Sequence, residues 1–265
     1  MSLPTRVFAT PAALGRSLAA EILEGAAAAR RDGRRFLLGC PGGRSLKSTY
    51  DELGRQAGAA GADLSRLVVV MMDEYLRPAN GGFAYCPDDA HYSCRRFAEA
   101  EIRAPLDRAL PAPARVPRAN VWLPDPVDPA AFDARLAAAG GVDLFLLATG
   151  ASDGHVAFNP PGTGLDSVTR VVRLADSTRR DNLATFPDFR GLGEVPTHGV
   201  SVGLGTIARL SRAVALVAHG AHKAAAVRRL LAATEFTPDW PATVVHACRD
   251  ARLLLDRAAA PPDAT

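Results

Sequence analysis

Val142-Asp143-Leu144-Phe145-Leu146-Leu147-Ala148-Thr149 runs directly into Gly150-Ala151-Ser152-Asp153-Gly154-His155-Val156-Ala157-Phe158-Asn159. The first stretch is a nearly continuous apolar run, of the length and composition of a strand buried on both faces of a parallel sheet. The second is a glycine-bearing turn that sets an acid, Asp153, and an imidazole, His155, just beyond the strand. Open α/β sheets bind ligands outside the carboxyl ends of their strands. The Asp-x-His spacing also allows the carboxylate to hold the imidazole in one orientation.

Working outward from this run, strand and helix patterns alternate. Residues 11–31 are rich in Ala and Leu at helical spacing and stop at Asp32-Gly33. Residues 34–39, 67–72, 121–123, 200–203, 213–218 and 251–255 read as strands; residues 45–56, 88–102, 129–139 and 221–233 read as helices. Such alternation indicates βαβ units around a mainly parallel sheet, an α/β fold. No internal repeat or low-complexity linker divides the chain. Residues 78–89 and 176–196 are polar and long for ordinary connections, and read equally well as lids or as plain surface excursions. Residues 258–265, with two prolines and small side chains, read as a frayed, flexible tail.

The bulk numbers exclude several classes. Of 265 residues, 48% are apolar, enough for a sizeable core. A net charge of +3, from 31 basic and 28 acidic residues, makes no case for nucleic acid or an acidic membrane surface. Cys40, Cys86, Cys94 and Cys248 include no C-x-x-C pair and suit a reduced, intracellular setting. There is no N-terminal signal pattern and no apolar run near the ~20 residues of a membrane span, so the expectation is a cytoplasmic, soluble protein.

Four places carry candidate chemistry. Gly39-Cys40-Pro41-Gly42-Gly43-Arg44-Ser45 lies between a strand and a helix. Its amides at Gly42 and Gly43, with Arg44 and the Ser45 hydroxyl, suit an anion at a helix N-terminus; equally, the glycines serve a tight turn. It is not a Walker A loop. Met71-Met72-Asp73-Glu74-Tyr75 ends the second buried strand, where Asp73 is placed to act as a base; Glu74 reads better as a capping acid. The opening run also matches G-x-S-x-G, but the prolines after Asn159 make a poor helix and count against a nucleophile elbow. Lys223 starts a helix after a strand; alone it reads as a solvated side chain. His91, His198, His219, His222 and His246 show no metal spacing, and no G-x-G-x-x-G opens a helix, so neither a metal nor a dinucleotide cofactor is expected.

Together these pieces resemble the glucosamine-6-phosphate deaminase and 6-phosphogluconolactonase family, from the first helix to about Leu255. The markers, in order, are the glycines at Gly42 and Gly43, Met72-Asp73-Glu74-Tyr75, Asp153-Gly154-His155-Val156-Ala157-Phe158-Asn159, Asp166-Ser167-Val168-Thr169-Arg170, Val202-Gly203-Leu204-Gly205-Thr206 and Lys223. Asp-Glu-Tyr and Ala-Phe-Asn resemble the deaminase branch. The resemblance implies a doubly wound, Rossmann-like α/β domain with helices on both faces, here residues 1–257, acting on a small-molecule sugar phosphate without cofactor. It implies that Gly42, Gly43, Arg44, Ser45 and Lys223 hold the phosphate, that His155 opens the sugar ring with Asp153 orienting it, and that Asp73 removes the C2 proton. Glu74 and Arg179 are further candidates for contact with the substrate.

Two departures from the family pattern stand out. Pro160 takes the place of a glutamate that supports the histidine, and Ala184 falls where an arginine of the lid would clamp the phosphate. Arg179 or Arg180 is a candidate substitute, and Arg44 is a second source of that charge. The leading expectation is a deaminase or isomerase of an aldose phosphate such as glucosamine 6-phosphate. A 6-phosphogluconolactonase-type hydrolase and a binding-only sugar-phosphate protein are the alternatives. Homo-oligomerisation is left open.

Overall fold

Strands and helices alternate in the order β1 (Thr5–Phe8), α1 (Pro11–Arg31), β2 (Phe36–Cys40), α2 (Lys47–Ala60), β3 (Leu67–Met71), β4 (Asp73–Ala79), β5 (Gly82–Tyr85), α3 (Cys94–Phe97), a π-helical turn Ala98–Arg103, α4 (Ala104–Ala109), β6 (Val121–Trp122), α5 (Pro129–Ala138) and β7 (Val142–Leu147). There follow β8 (Arg170–Arg173), α6 (Asp176–Thr185), β9 (His198–Ser201), α7 (Leu204–Leu210), β10 (Ser211–Ala218), α8 (Ala224–Ala232) and β11 (Ala251–Asp256). The structure is a computed structural model and describes residues 3–262.

Seven strands form one sheet in the order β1-β11-β10-β7-β2-β3-β6, every pairing parallel. The chain winds from β2 through β3 to β6, then crosses back to β7 and continues to β10 and β11. The winding therefore reverses between β2 and β7, and that reversal opens a crevice at the carboxyl edge of the sheet. The β2–β7 seam is close: a Cβ on Gly39 would lie 2.2 Å from Phe145, so β2 carries a glycine where β7 carries a ring. Apolar side chains pack on both faces. Leu14, Leu18 and Ile22 of α1 and Tyr50 and Leu53 of α2 cover one. Phe132 and Leu136 of α5, Ile207 of α7 and Val227 of α8 cover the other. This is the doubly wound α/β architecture.

A second, antiparallel sheet, β5-β4-β9-β8, is what the periodicity does not anticipate. The strand ending at Met71 passes through Met72 directly into β4, so Asp73 stands at a corner between the two sheets. Residues 78–89 are not a lid: Asn80 and Gly81, both at positive φ (35° and 79°), turn the β4–β5 hairpin. Of residues 200–203, read as a strand of the parallel sheet, Val200 and Ser201 pair instead with β4 and β8. The helix expected from residue 88 starts at Cys94, where Ser93 caps it by accepting from Arg96 N. The tail is not frayed where it begins. Ala259 is fully buried, and its amide donates to Asp256 Oδ1. Residues 263–265 of that tail lie outside the described residues. No described helix is long and apolar enough to cross a membrane.

Candidate active site

The crevice at the β2–β7 reversal holds a cavity of about 440 Å³. The loops after β2, β3, β7 and β10 line it, because parallel strands deliver all four loops to one edge. Asp73 and His155 face this shared space, with Gly42, Gly43, Arg44 and Ser45 on one wall and Lys223 beside them.

Asp73 is 6% exposed. Burial, opposed by a hydrogen bond from Cys94 and reinforced by the nearby charge of Glu74, pushes its pKa up to about 7. A carboxylate that gains and loses a proton near neutrality suits a general base that must also return its proton. The Cys94 thiol donates to Asp73 Oδ1 at 3.3 Å across 21 positions of sequence. Removing that donor disfavours the charged form, so Cys94→Ala is expected to move the acid limb of a kcat/KM profile to higher pH. Cys94→Ser, which keeps a donor, is expected to restore it.

His155 is fixed from behind. Its Nδ1 lies 2.7 Å from Asp153 Oδ1, which also accepts its backbone amide at 3.1 Å. The second oxygen of Asp153 accepts from Ser177. Burial alone would raise Asp153, but the hydrogen bond and charge of His155, with the Ser177 hydroxyl, hold it well below the usual carboxylate range. Asp153 therefore stays ionised and does not itself line the cavity. Thr178 Oγ1 approaches the same ring nitrogen at 3.4 Å. Facing an ionised acceptor, Nδ1 is the nitrogen that bears the hydrogen, which leaves Nε2 free to take up and pass on a proton.

The pair folds back over the strand end only because residue 150 has no side chain. A Cβ there would sit 2.3 Å from His155 Nδ1 and 2.4 Å from Asp153 Oδ1. Gly150→Ala is thus expected to displace the imidazole, lowering kcat by about a hundredfold or more at a stability cost of about 1–3 kcal/mol. Steady-state kinetics and a denaturant melt would check both. Ala157, also on the cavity wall, adopts φ 52°, an uncommon conformation for a non-glycine residue.

At the anion end, Gly43 has φ 84°, and the amides of Gly42, Gly43, Arg44 and Ser45 donate to no group among the described residues. Such a turn, shortly before the N-terminus of α2, forms a cradle for an oxyanion. Lys223 Nζ donates to Thr149 O at 2.6 Å, which holds it at the end of β7. Burial keeps its pKa below the ordinary lysine range against the opposing charge of Asp181.

Two expected contacts are not in the cavity. Glu74 is buried and spends both oxygens on structure. Oε1 accepts from the amides of Tyr75 and Cys94; Oε2 accepts from Ser93 Oγ and the Arg95 amide. It is the capping acid of α3, because a carboxylate beside a helix start is the nearest acceptor for free amides. Arg179 points away: Nη2 donates to Leu192 O and Val195 O, and Nη1 pairs with Asp176. It ties α6 to the turn after it and cannot replace a phosphate clamp. Arg180 is exposed and does not line the cavity either.

Several cavity residues carry no sequence signal of their own. Of the two long polar stretches, residues 176–196 do cover the site. Helix α6 presents Thr178, Asp181, Asn182 and Thr185 to the cavity, and Phe186 follows. Asn182 is nearly buried and its Nδ2 has no hydrogen-bond partner, a donor left over for a ligand. A count of polar residues marks such a segment as a loop; its helical spacing at Thr178, Asn182 and Thr185 is the signal that was available. Among the described residues no group of three or more His, Cys, Asp or Glu side chains is gathered as a metal site.

Comparisons with known proteins bear on the fold and the family. The family model for glucosamine-6-phosphate isomerases and 6-phosphogluconolactonase matches residues 9–254. A glucosamine-6-phosphate deaminase of Arthrobacter sp. (strain FB24) is 39% identical over 215 residues, 80% of this chain and 75% of that protein. Another, of Rhodococcus jostii (strain RHA1), is 36% identical over 227 residues, 84% of this chain and 80% of that protein. Among solved structures, a monomeric glucosamine-6-phosphate deaminase superposes with a TM-score of 0.82 at 25% identity, covering 97% of this chain and 98% of that one. The 6-phosphogluconolactonase of Trypanosoma cruzi superposes at 0.73 with 18% identity, covering 100% and 99%, and shares the fold. A doubly wound sheet, a cavity at its reversal point and a family match spanning nearly all of the sequence lead to one assignment: the chain belongs to the glucosamine-6-phosphate isomerase and 6-phosphogluconolactonase family.

Proposed function

We propose that this protein is a sugar-phosphate deaminase and isomerase that converts glucosamine 6-phosphate, or a close relative, to the ketose phosphate with release of ammonia. The observation that carries the reading is the pairing in one cavity of a buried carboxylate titrating near neutrality, Asp73, with an imidazole backed by an ionised acid, His155 with Asp153. Residues 1–257 act as one unit in this reading, since the loops that line the cavity come from across the sheet.

The phosphate sits on the amides of residues 42–45 with Arg44 and Lys223. His155 takes the proton of the anomeric hydroxyl on Nε2 and passes it to the ring oxygen, which opens the sugar to its aldehyde. Asp73 takes the proton from C2 as the electrons move to the C1 carbonyl, whose oxygen takes a proton from water, to give an enolamine. Asp73 then returns its proton to C1 and the nitrogen gives one back to water, leaving an imine at C2. Water adds to that carbon and ammonia leaves, yielding the ketose. Every proton taken is given back, which is what a base of pKa about 7 does well. Pro160 offers no carboxylate to His155, so orientation of the ring falls to Asp153, with Thr178 nearby.

The experiment is turnover of glucosamine 6-phosphate in heavy water, following ammonia and deuterium at C1 of the ketose. Ammonia with deuterium at C1 is expected. Hydrolysis of 6-phosphogluconolactone, with no exchange of a carbon-bound proton in any amino sugar phosphate, would instead make the protein a lactonase.

A further inference from the structure

His219 and His222, which have no metal spacing, both line the cavity at its anion end with Arg44 and Lys223. The turn between β10 and α8 is built to put them there. Gly220 has φ 84°, and its amide donates to Asp256 Oδ1 at 3.0 Å. A Cβ at residue 220 would come within 2.9 Å of His222 Nδ1, so the ring lies back on bare backbone. Lys223 is held on Thr149 O and Arg44 reaches in from the loop after β2.

The electrostatic surroundings of His222 are one-sided. Lys223 and His219 on its own segment and Arg44 on the facing loop disfavour its charged form; Asp256 at the end of β11 favours it. Asp181 of α6 and Asp153 act on the neighbouring Lys223. Partial desolvation at the cavity rim, with Lys223, His219 and Arg44, prevails, and the pKa of His222 lies below the ordinary imidazole range. In the free protein it is therefore neutral at about pH 7.5. A phosphate dianion seated among these groups cancels the repulsion and reverses the balance.

We propose that His222 takes up a proton when the phosphate ester binds and holds it as an imidazolium, so that the seat selects dianionic esters through a proton-linked contact. This rests on the reading of the cavity as a sugar-phosphate site, and it adds a specificity residue to the turn that carries Lys223.

The test is calorimetric titration of glucosamine 6-phosphate into Asp73→Asn protein at about pH 7.5, in two buffers of different ionisation enthalpy. That background removes turnover and the titration of Asp73 itself. Comparing it with the same protein carrying His222→Asn isolates the histidine, because the sugar amine is common to both. The expected result is that His222 accounts for an uptake of roughly half to one proton. Its replacement is also expected to weaken binding by about 5–10-fold. A thermal melt of each protein confirms that both are folded, as an exposed rim residue should allow. Equal proton uptake with and without His222 overturns the proposal and leaves the site intact. No binding by either folded protein overturns the sugar-phosphate reading and this inference with it.

Discussion

Asp73→Asn is expected to abolish turnover and at the same time to make the protein more stable at neutral and alkaline pH. The catalytic half follows from the loss of the group proposed to take the C2 proton. A positioned base contributes about 10²–10⁴-fold, so kcat should fall by about a thousandfold and deuterium should no longer appear at C1. The stability half follows from the direction of the shift. Asp73 titrates at about 7 in the folded protein and near 3.9 in an unfolded chain. Below about pH 4 both states are protonated and the group costs nothing. Between about pH 4 and 7 the unfolded chain gives up its proton first, so stability falls as pH rises, and above about 7 the whole cost remains. Three units correspond to a cost on the order of 4 kcal/mol. Asparagine does not ionise, so a gain of about 1–3 kcal/mol at pH 7.5 is expected, shrinking to nothing near pH 4. Denaturant melts at the two pH values measure it. A variant that loses activity with no gain at pH 7.5 would mean that the carboxylate is not desolvated as described. In the unaltered enzyme the same titration predicts kcat/KM rising tenfold per unit below about pH 7 and levelling above.

How much of this is legible in the sequence depends on what each residue's environment demands. The β7 run was readable because a strand buried on both faces must be apolar throughout, and all but Asp143 comply. Helix α1 was readable to its ends, since Thr10 caps it, Pro11 opens it and Asp32-Gly33 closes it. Strands β1 and β8 escaped because each has four residues, and Arg170-Val-Val-Arg is charged at both ends. Strand β4 escaped because Asp73 and Glu74 look like a loop; their charges are accommodated only by partners such as Cys94 and Ser93, distant in sequence. The same limit explains Arg179. Spacing says that it lies on a helix, but which way the helix turns it depends on carbonyls at Leu192 and Val195. In the sequence, His219 and His222 raise only the question of metal spacing between histidines. Their position beside Arg44 depends on β2 and β10 ending at the same edge of the sheet.

The second large effect is expected at Asp153, and its stability term has the opposite sign. Asp153→Asn preserves the size of the side chain and can still accept from the His155 amide and Nδ1, with its new amino group turned to Ser177. What it removes is the negative charge that lets His155 hold a proton while the ring opens. A loss of about 10²–10³-fold in kcat is expected, with little change in KM, because Asp153 stands behind the imidazole and does not line the cavity. Asp153 lies well below the usual carboxylate range when folded. Its ionised form therefore contributes stability that is present above about pH 4, the unfolded value, and is lost as pH falls through the folded one. Replacing it should cost about 1–3 kcal/mol at pH 7.5 and much less in strong acid. The two carboxylates near His155 thus make a joint prediction. Both asparagine variants lose about a hundredfold or more in kcat, yet at pH 7.5 one is more stable than the parent and the other less. A general loss of folding would lower both, and two surface acids would move neither. Opposite shifts follow only if one acid is kept close to neutral and the other kept fully charged, which is the division of labour that a base and the partner of an acid require.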